Sequence, residues 1–257
     1  MPKWNAFPHA GSYDFDAKNA KKNWATLHLG DAEPLPKDVK LLEAWALFHS
    51  GEFHKAAQEG LKIGGAGITL ANKATCIYAN YLEPKERTRL DLFLEVAQRA
   101  QEQSQLDPNN PNAFYWQAYA LGRYSQAISV AKALAQGIGG KIKTALEVTI
   151  KLQPKHADAR IALAAFHAEV IDKVGALIGG MTYGARKEVG LRLFQEALQL
   201  TPNSAIAMIE YANGLVLLEG DKRMEEATAL YMQAAASSPQ DAMERLDVEL
   251  AKAELVD

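Results

Sequence analysis

His49 and His54 stand five residues apart, and His167 and Glu169 two apart. A metal pair on one helical face needs a spacing of three or four, so neither pair reads as a metal site, although Gly51 leaves room for a loop-bridged one. Gly137-Ile138-Gly139-Gly140-Lys141 has the composition of a phosphate loop. Ala135 occupies the place of its first glycine, Ile142 that of the magnesium-holding hydroxyl, and no strand precedes it. It reads as a helix-to-helix turn. Glu169 and Lys173 form an i, i+4 pair of the favourable orientation, worth about a few tenths of a kcal/mol. Neither a nucleophile with its base nor a close pair of carboxylates can be assembled from the spacing. No catalytic residue, metal or cofactor is therefore expected. The chain does offer recognition chemistry: Tyr115, Tyr119 and Arg123 recur every fourth residue, with Gln126 one turn on. Tyr and Arg dominate binding hot spots when they are desolvated.

The elements that must position these residues are written four times along the chain. Leu106-Asp107-Pro108 leads into Asn112-Ala113-Phe114-Tyr115, Leu152-Gln153-Pro154 into Asp158-Ala159-Arg160-Ile161, and Leu200-Thr201-Pro202 into Ile206-Ala207-Met208-Ile209; the fourth copy ends at Pro239. Ala197, Phe194 and Gly190 precede Pro202 at the same offsets at which Ala234, Tyr231 and Ala227 precede Pro239. Each position has a steric task. The small residues let two antiparallel helices approach, the aromatic fills the space between pairs, and the proline ends the helix because it lacks a donor and clashes with the preceding turn. Asn109-Asn110, Lys155-His156 and Asn203-Ser204 then turn the chain and start the next helix.

This small, aromatic, small, proline pattern resembles the second half of a tetratricopeptide (TPR) repeat, and Ala44, Gly51-Glu52-Phe53 and Ala56 resemble the middle of the same consensus. The resemblance covers roughly Asp38 to Pro239. It implies an all-α, right-handed helical-repeat solenoid with irregular, long helix pairs. The regular repeat is about 34 residues, whereas the prolines lie 46, 48 and 37 residues apart. Two repeats thus carry insertions. Arg123 to Gln136 reads as a first helix extended by about three turns. In the second, the helix from Ala157 runs on through Lys173, with a loop at Gly179 to Gly184.

Composition bounds the rest. Net charge is −3, with 28 basic and 31 acidic residues spread along the chain, which lacks the basic footprint of nucleic-acid binding. No apolar run reaches about 18 residues, so no membrane span is expected. One cysteine, Cys76, permits no internal disulfide and suits a reducing compartment; with no signal-peptide core at the N-terminus, a cytoplasmic location is expected. The thiol reads as a small buried hydrophobe.

Three segments are expected. Residues 1–37, with Trp4, Phe7, Tyr13, Phe15 and Trp24 among several Pro and Gly, form an aromatic extension docked on the repeats, as a cap over the first helix pair or as a strap in the chain's own groove. Residues 38–239 carry the repeats. Residues 240–257 form a capping helix with Met243, Leu246, Leu250 and Ala253 on one side. In such a stack the first helices line the concave face, which places Leu41, Trp45 and His49, then Tyr115, Tyr119 and Arg123, then Ile161, Ala165 and Glu169, then Ile209 and Asn213 at equivalent positions. Arg123 and Glu169 are expected to approach each other. The candidate ligand-binding set is Trp45, Tyr115, Tyr119, Arg123, Gln126, Glu169 and Asn213. This set lacks the Lys and Asn of the TPR clamp that holds a chaperone's C-terminal carboxylates. By analogy the resemblance implies a non-catalytic adaptor holding a peptide or protein segment in its groove; the alternative is a small-molecule or lipid binder whose pocket is formed by the lengthened repeats. The sequence identifies neither the partner nor the oligomeric state.

Overall fold

The structure, a computed structural model, describes residues 4–255. Among them the regular elements are all helical: α1 (Ala17–Leu27), α2 (Val39–His49), α3 (Phe53–Ile63), α4 (Gly67–Tyr81), α5 (Glu86–Leu106), α6 (Pro111–Gln126), α7 (Val130–Ala135), α8 (Ile138–Leu152), α9 (Ala157–Val174), α10 (Ala176–Tyr183), α11 (Lys187–Leu200), α12 (Ala205–Glu219), α13 (Met224–Ala235) and α14 (Ala242–Glu254), with a short 3₁₀ turn at Gly220–Arg223. The chain forms two compact units. The first contains the chain up to His28, Glu33–Ala133 and Asp241–Met243; the second contains Leu29–Ala32, Leu134–Gln240 and the chain from Glu244 onward.

The helix boundaries follow from the proline motifs. α5, α8 and α11 end at Leu106, Leu152 and Leu200, each two residues before its proline, and the following polar residue caps the next helix. Asn110 accepts from the backbone N–H groups of Asn112 and Ala113 with Pro111 at the first helical position, His156 Nδ1 accepts from Ala159, and Ser204 Oγ accepts from Ala207. Such caps contribute about 1 kcal/mol each by satisfying orphan donors.

In the first unit each helix from α1 to α6 packs on the next, and α2 touches α4 as α4 touches α6. The first helices of successive pairs thus form one layer. In the second unit α9 and α12 make the same contact, with α11 and α13 as their partners. Phe194 shows why the motif is spaced as it is. Its ring is buried, stacks on Tyr211 at 5.3 Å, and lies against Gly214 of α12. Gly190 brings α11 onto α9, where an added Cβ would be 3.2 Å from the Cβ of His167. In the first unit Gly60 and Gly67 perform the same service for α3 and α4: a Cβ at Gly60 would sit 2.6 Å from the carbonyl oxygen of Gly67.

Three expectations about local structure are corrected. α6 is not extended by three turns but stops at Gln126. Ser125 Oγ donates to the carbonyl of Gly122, drawing on the last turn, and Ser129 Oγ accepts from Lys132 N–H to start the separate helix α7. The expected loop at Gly179 to Gly184 is largely helix α10, set off by Gly175 (φ 82) and Gly184 (φ 64); packing overrides the poor propensity of its glycines, because Gly179 lets α10 lie against Val170. The N-terminal extension holds the 11-residue α1, which is nucleated by a capping box of Asp16 and Asn19. On α14 the buried apolar residues are Ala242, Leu246, Val248 and Ala251, and Asp247 is buried with them. Leu246 is the only member of the expected face among them.

Candidate functional site

α6 carries four of the seven candidate residues in one stripe. Tyr115 is buried, Tyr119 and Arg123 are half-buried and Gln126 is exposed, so the stripe runs from the core out to solvent. Tyr115 and Tyr119 have ring centroids 6.1 Å apart, and Trp116 meets both rings edge-on at 4.9 and 5.3 Å. Above them the Arg123 guanidinium lies 5.3 Å from the centre of the Tyr119 ring and donates to Gln126 Oε1 at 3.3 Å. The ring fixes the orientation of the cation at little entropic cost, an arrangement worth about 0.5–1 kcal/mol where exposed. A guanidinium and an amide at the rim of an aromatic patch can donate to carboxylate and carbonyl oxygens.

Trp45 is not open to a partner. It is fully buried on α2, and Trp24 of α1 and His28, which follows that helix, meet it edge-on at 5.7 and 4.7 Å. Of the column assigned to the groove, Leu41 is buried, and Trp45 and His49 lie under the N-terminal extension. Trp24 Nε1 donates to the carbonyl of Glu33 at 2.8 Å, and Asn112 Nδ2 of α6 donates to the Glu33 carboxylate at 2.6 Å. The same extension also wraps the other side of the first pair. Trp4 stacks on Tyr78 at 4.1 Å and on His54 at 5.0 Å, while Phe7 packs against Gly51 and Phe53.

Two residues around Trp45 escaped sequence reasoning, Asp241 and Lys73. His49 Nδ1 is 2.7 Å from the Asp241 carboxylate, a buried contact between residues 192 apart. Lys73 is 2% exposed, with its ammonium 5.7 Å from the Trp45 ring centre and 5.1 Å from that of Phe48. Lys73 had a faint signal, being the sole charge in the uncharged run of α4; Asp241 had none, since its partner is remote in sequence. No group of three or more His, Cys, Asp or Glu side chains that could hold a metal ion occurs among the described residues. Cys76 is fully buried, and desolvation pushes its thiol far above the ordinary range despite Arg99 and Arg123 nearby, so it is inert packing.

In the second unit Glu169 lies on the last turns of α9 and binds Lys173 at 3.3 Å. Asn213 is exposed on α12, where its side-chain oxygen accepts from the Tyr231 hydroxyl at 2.6 Å. Ile161 and Ile209, equivalent to Tyr115 in the repeat, are buried.

Comparison with known protein families and with curated proteins finds no match. Among solved structures, a thermophilic TPR protein from Thermus thermophilus superposes with a TM-score of 0.57 over 83% of this chain and 97% of that chain, at 15% sequence identity. The fold is TPR-like. At that identity the likeness speaks for the TPR-like architecture alone, and it agrees with the layer of first helices and with the Phe194 and Gly190 packing. The TPR-like chain has no helix among its described residues long and apolar enough to cross a membrane.

His167 of α9 holds the entry of α11. Its Nδ1 accepts the backbone N–H of Arg186 at 3.1 Å. Burial, then the charges of Lys143 and Arg186, push its pKa from 6.5 down to about 4. The unfolded chain therefore takes up a proton between those two values that the folded chain refuses. Stability falls as pH drops through that window, by on the order of 2–3 kcal/mol from this group. Denaturation midpoints measured from neutral pH to about pH 4 should show this slope, and His167→Asn, which keeps an acceptor and removes the titration, should flatten it.

Proposed function

We propose that the protein is a non-catalytic, cytoplasmic helical-repeat adaptor that holds a peptide or protein segment against its first helices, with Tyr119, Arg123 and Gln126 as the principal contacts in the first unit. The observation that carries this reading is the graded stripe on α6: a half-buried ring fixed from beneath by Tyr115 and Trp116, and a guanidinium laid over it with an exposed amide alongside. Glu169 and Asn213 are the polar points of the corresponding positions in the second unit. In this reading residues 1–37 cover the first pair, 38–239 carry the repeats and 240–257 close the array.

Affinity capture from cell extract with the wild type, Tyr119→Ala and Arg123→Ala tests the proposal. Arg123→Ala should keep the fold's stability to within about 1 kcal/mol and lose the partner. A destabilised Tyr119→Ala together with unchanged capture by Arg123→Ala would make this face core, and the reading would fall. Recovery of a small molecule in place of a polypeptide would favour the enclosed-pocket alternative.

A further inference from the structure

In the first unit the N-terminal extension touches α2 and α6 at once. The Trp24 and His28 rings meet Trp45 of α2, and the Glu33 carboxylate accepts from the Asn112 side-chain amide in the first turn of α6 at 2.6 Å. Asn112 lies three residues before Tyr115 and so on the same face of α6. α4 packs against both helices, and its Lys73 is covered, with the ammonium beside the Trp45 ring. A segment that reaches from Trp45 to Asn112 passes over the layer of first helices. It is a strap in the chain's own groove.

The strap holds on by two linked anchors. One is the indole of Trp24, laid edge-on against Trp45; the other is the carboxylate of Glu33 on the fully buried amide of Asn112. Trp24 Nε1 donates to the carbonyl of Glu33 at 2.8 Å, so the ring and the carboxylate are presented as one element. A ring to lie on an indole and an acceptor for a buried amide are the chemistry by which a groove selects a polypeptide.

Two features set the strap apart from the core beneath it. Ala32, immediately before Glu33, has φ 47, the only positive value at a non-glycine residue among the described residues. A Cβ disfavours that left-handed conformation, and strain of this kind collects in ligand clamps and switch segments. The apolar residues beside the anchors also stay in water: Leu29 and Leu35 are 50% and 43% exposed. Little besides the two anchors therefore fixes the stretch after α1.

We propose that Trp24–Glu33 is a ligand held in cis, an autoinhibitory strap over Trp45, His49 and Asn112, and that the polypeptide partner displaces it with an aromatic ring and a carboxylate of its own. This rests on the reading of the first helices as the binding face and adds the regulation of that face. A tethered ligand acts at an effective concentration of about millimolar, so a free segment of equal intrinsic affinity competes poorly and the groove stays closed between α2 and α6 until a stronger one arrives.

Two measurements on the full chain test it. In hydrogen exchange of the wild type, amides of residues 24–33 should open by a local route and exchange about tenfold or more faster than those of α2; exchange of both segments together, only by global unfolding, overturns the proposal. The second uses a fluorescent synthetic peptide of residues 17–37 as the probe. Glu33→Ala in the full chain should bind it about tenfold or more tightly than the wild type does, and the same change in the peptide should abolish binding. Ala32→Gly, which relieves the strained φ and keeps the fold, should lower peptide binding a few-fold below the wild type. A folded Glu33→Ala chain that ignores the peptide, or a wild type that binds it equally well, overturns the strap. So does sedimentation velocity showing wild-type dimers that Glu33→Ala dissociates, which would assign the site to the strap of a second copy. The strap's anchors involve neither Arg123 nor Gln126, so failure here and failure of capture by the α6 stripe are distinguishable.

Discussion

Gly214→Val is expected to be the most damaging single change in the second unit. A Cβ at position 214 would lie 2.6 Å from Cζ of Phe194, a ring that is 1% exposed and stacked on Tyr211. The ring has nowhere to go, so α11 and α12 must separate or Phe194 must leave its rotamer. Overpacking of this kind costs about 1–3 kcal/mol and occasionally more, and a β-branched residue puts the upper end in reach. Urea denaturation should show a lower midpoint with the helical signal of the native baseline retained. The partner substitution discriminates: Phe194→Ala should cost about 3–5 kcal/mol alone, and combined with Gly214→Val the loss should be well below the sum, because the clash is gone. Additive losses would mean that the two residues do not meet.

Trp24→Ala should have an effect of similar size in the first unit. The indole is 6% exposed, lies across Trp45 and His28, and donates to the carbonyl of Glu33. Truncation removes that packing and leaves the acceptor without its donor, about 3–5 kcal/mol by the usual range for buried aromatics. Trp24→Phe should recover most of the loss and leave about 1 kcal/mol for the missing hydrogen bond. If Trp24→Ala melts with the wild type and binds no more apolar dye, the extension does not hold the Trp45 column closed. A melting loss accompanied by stronger dye binding would show that this column becomes available when the extension is released.

The fold was legible where one residue type does one local task. The prolines at 108, 154 and 202 stop helices for a reason internal to the backbone, and Asn110, His156 and Ser204 cap the next helices as their short polar side chains permit. The α6 stripe was legible for the same reason, since a spacing of four on one helix fixes which residues are neighbours. What escaped was decided by contacts remote in sequence. Ser125 and Ser129 break the lengthened helix at a place where composition alone favoured continuation. Gly179 and Gly180 look like loop residues until Val170 supplies the surface that rewards a close helix. The aromatics of residues 1–37 announced that they would be packed, but Trp45 was assigned to an open groove because nothing in its own repeat shows Trp24 and His28 arriving on top of it. His49 could not reveal Asp241, which approaches from the far end of the chain.

The central claim, that α6 presents a polypeptide-binding stripe, is tested most directly by a photo-crosslinking amino acid placed at Gln126, the exposed end of the stripe, in the otherwise intact protein. The account predicts a discrete crosslinked band from cell extract that is lost when Arg123→Ala is added and persists with a change on the opposite side of the helix. An empty lane, or a band indifferent to Arg123→Ala, would contradict it.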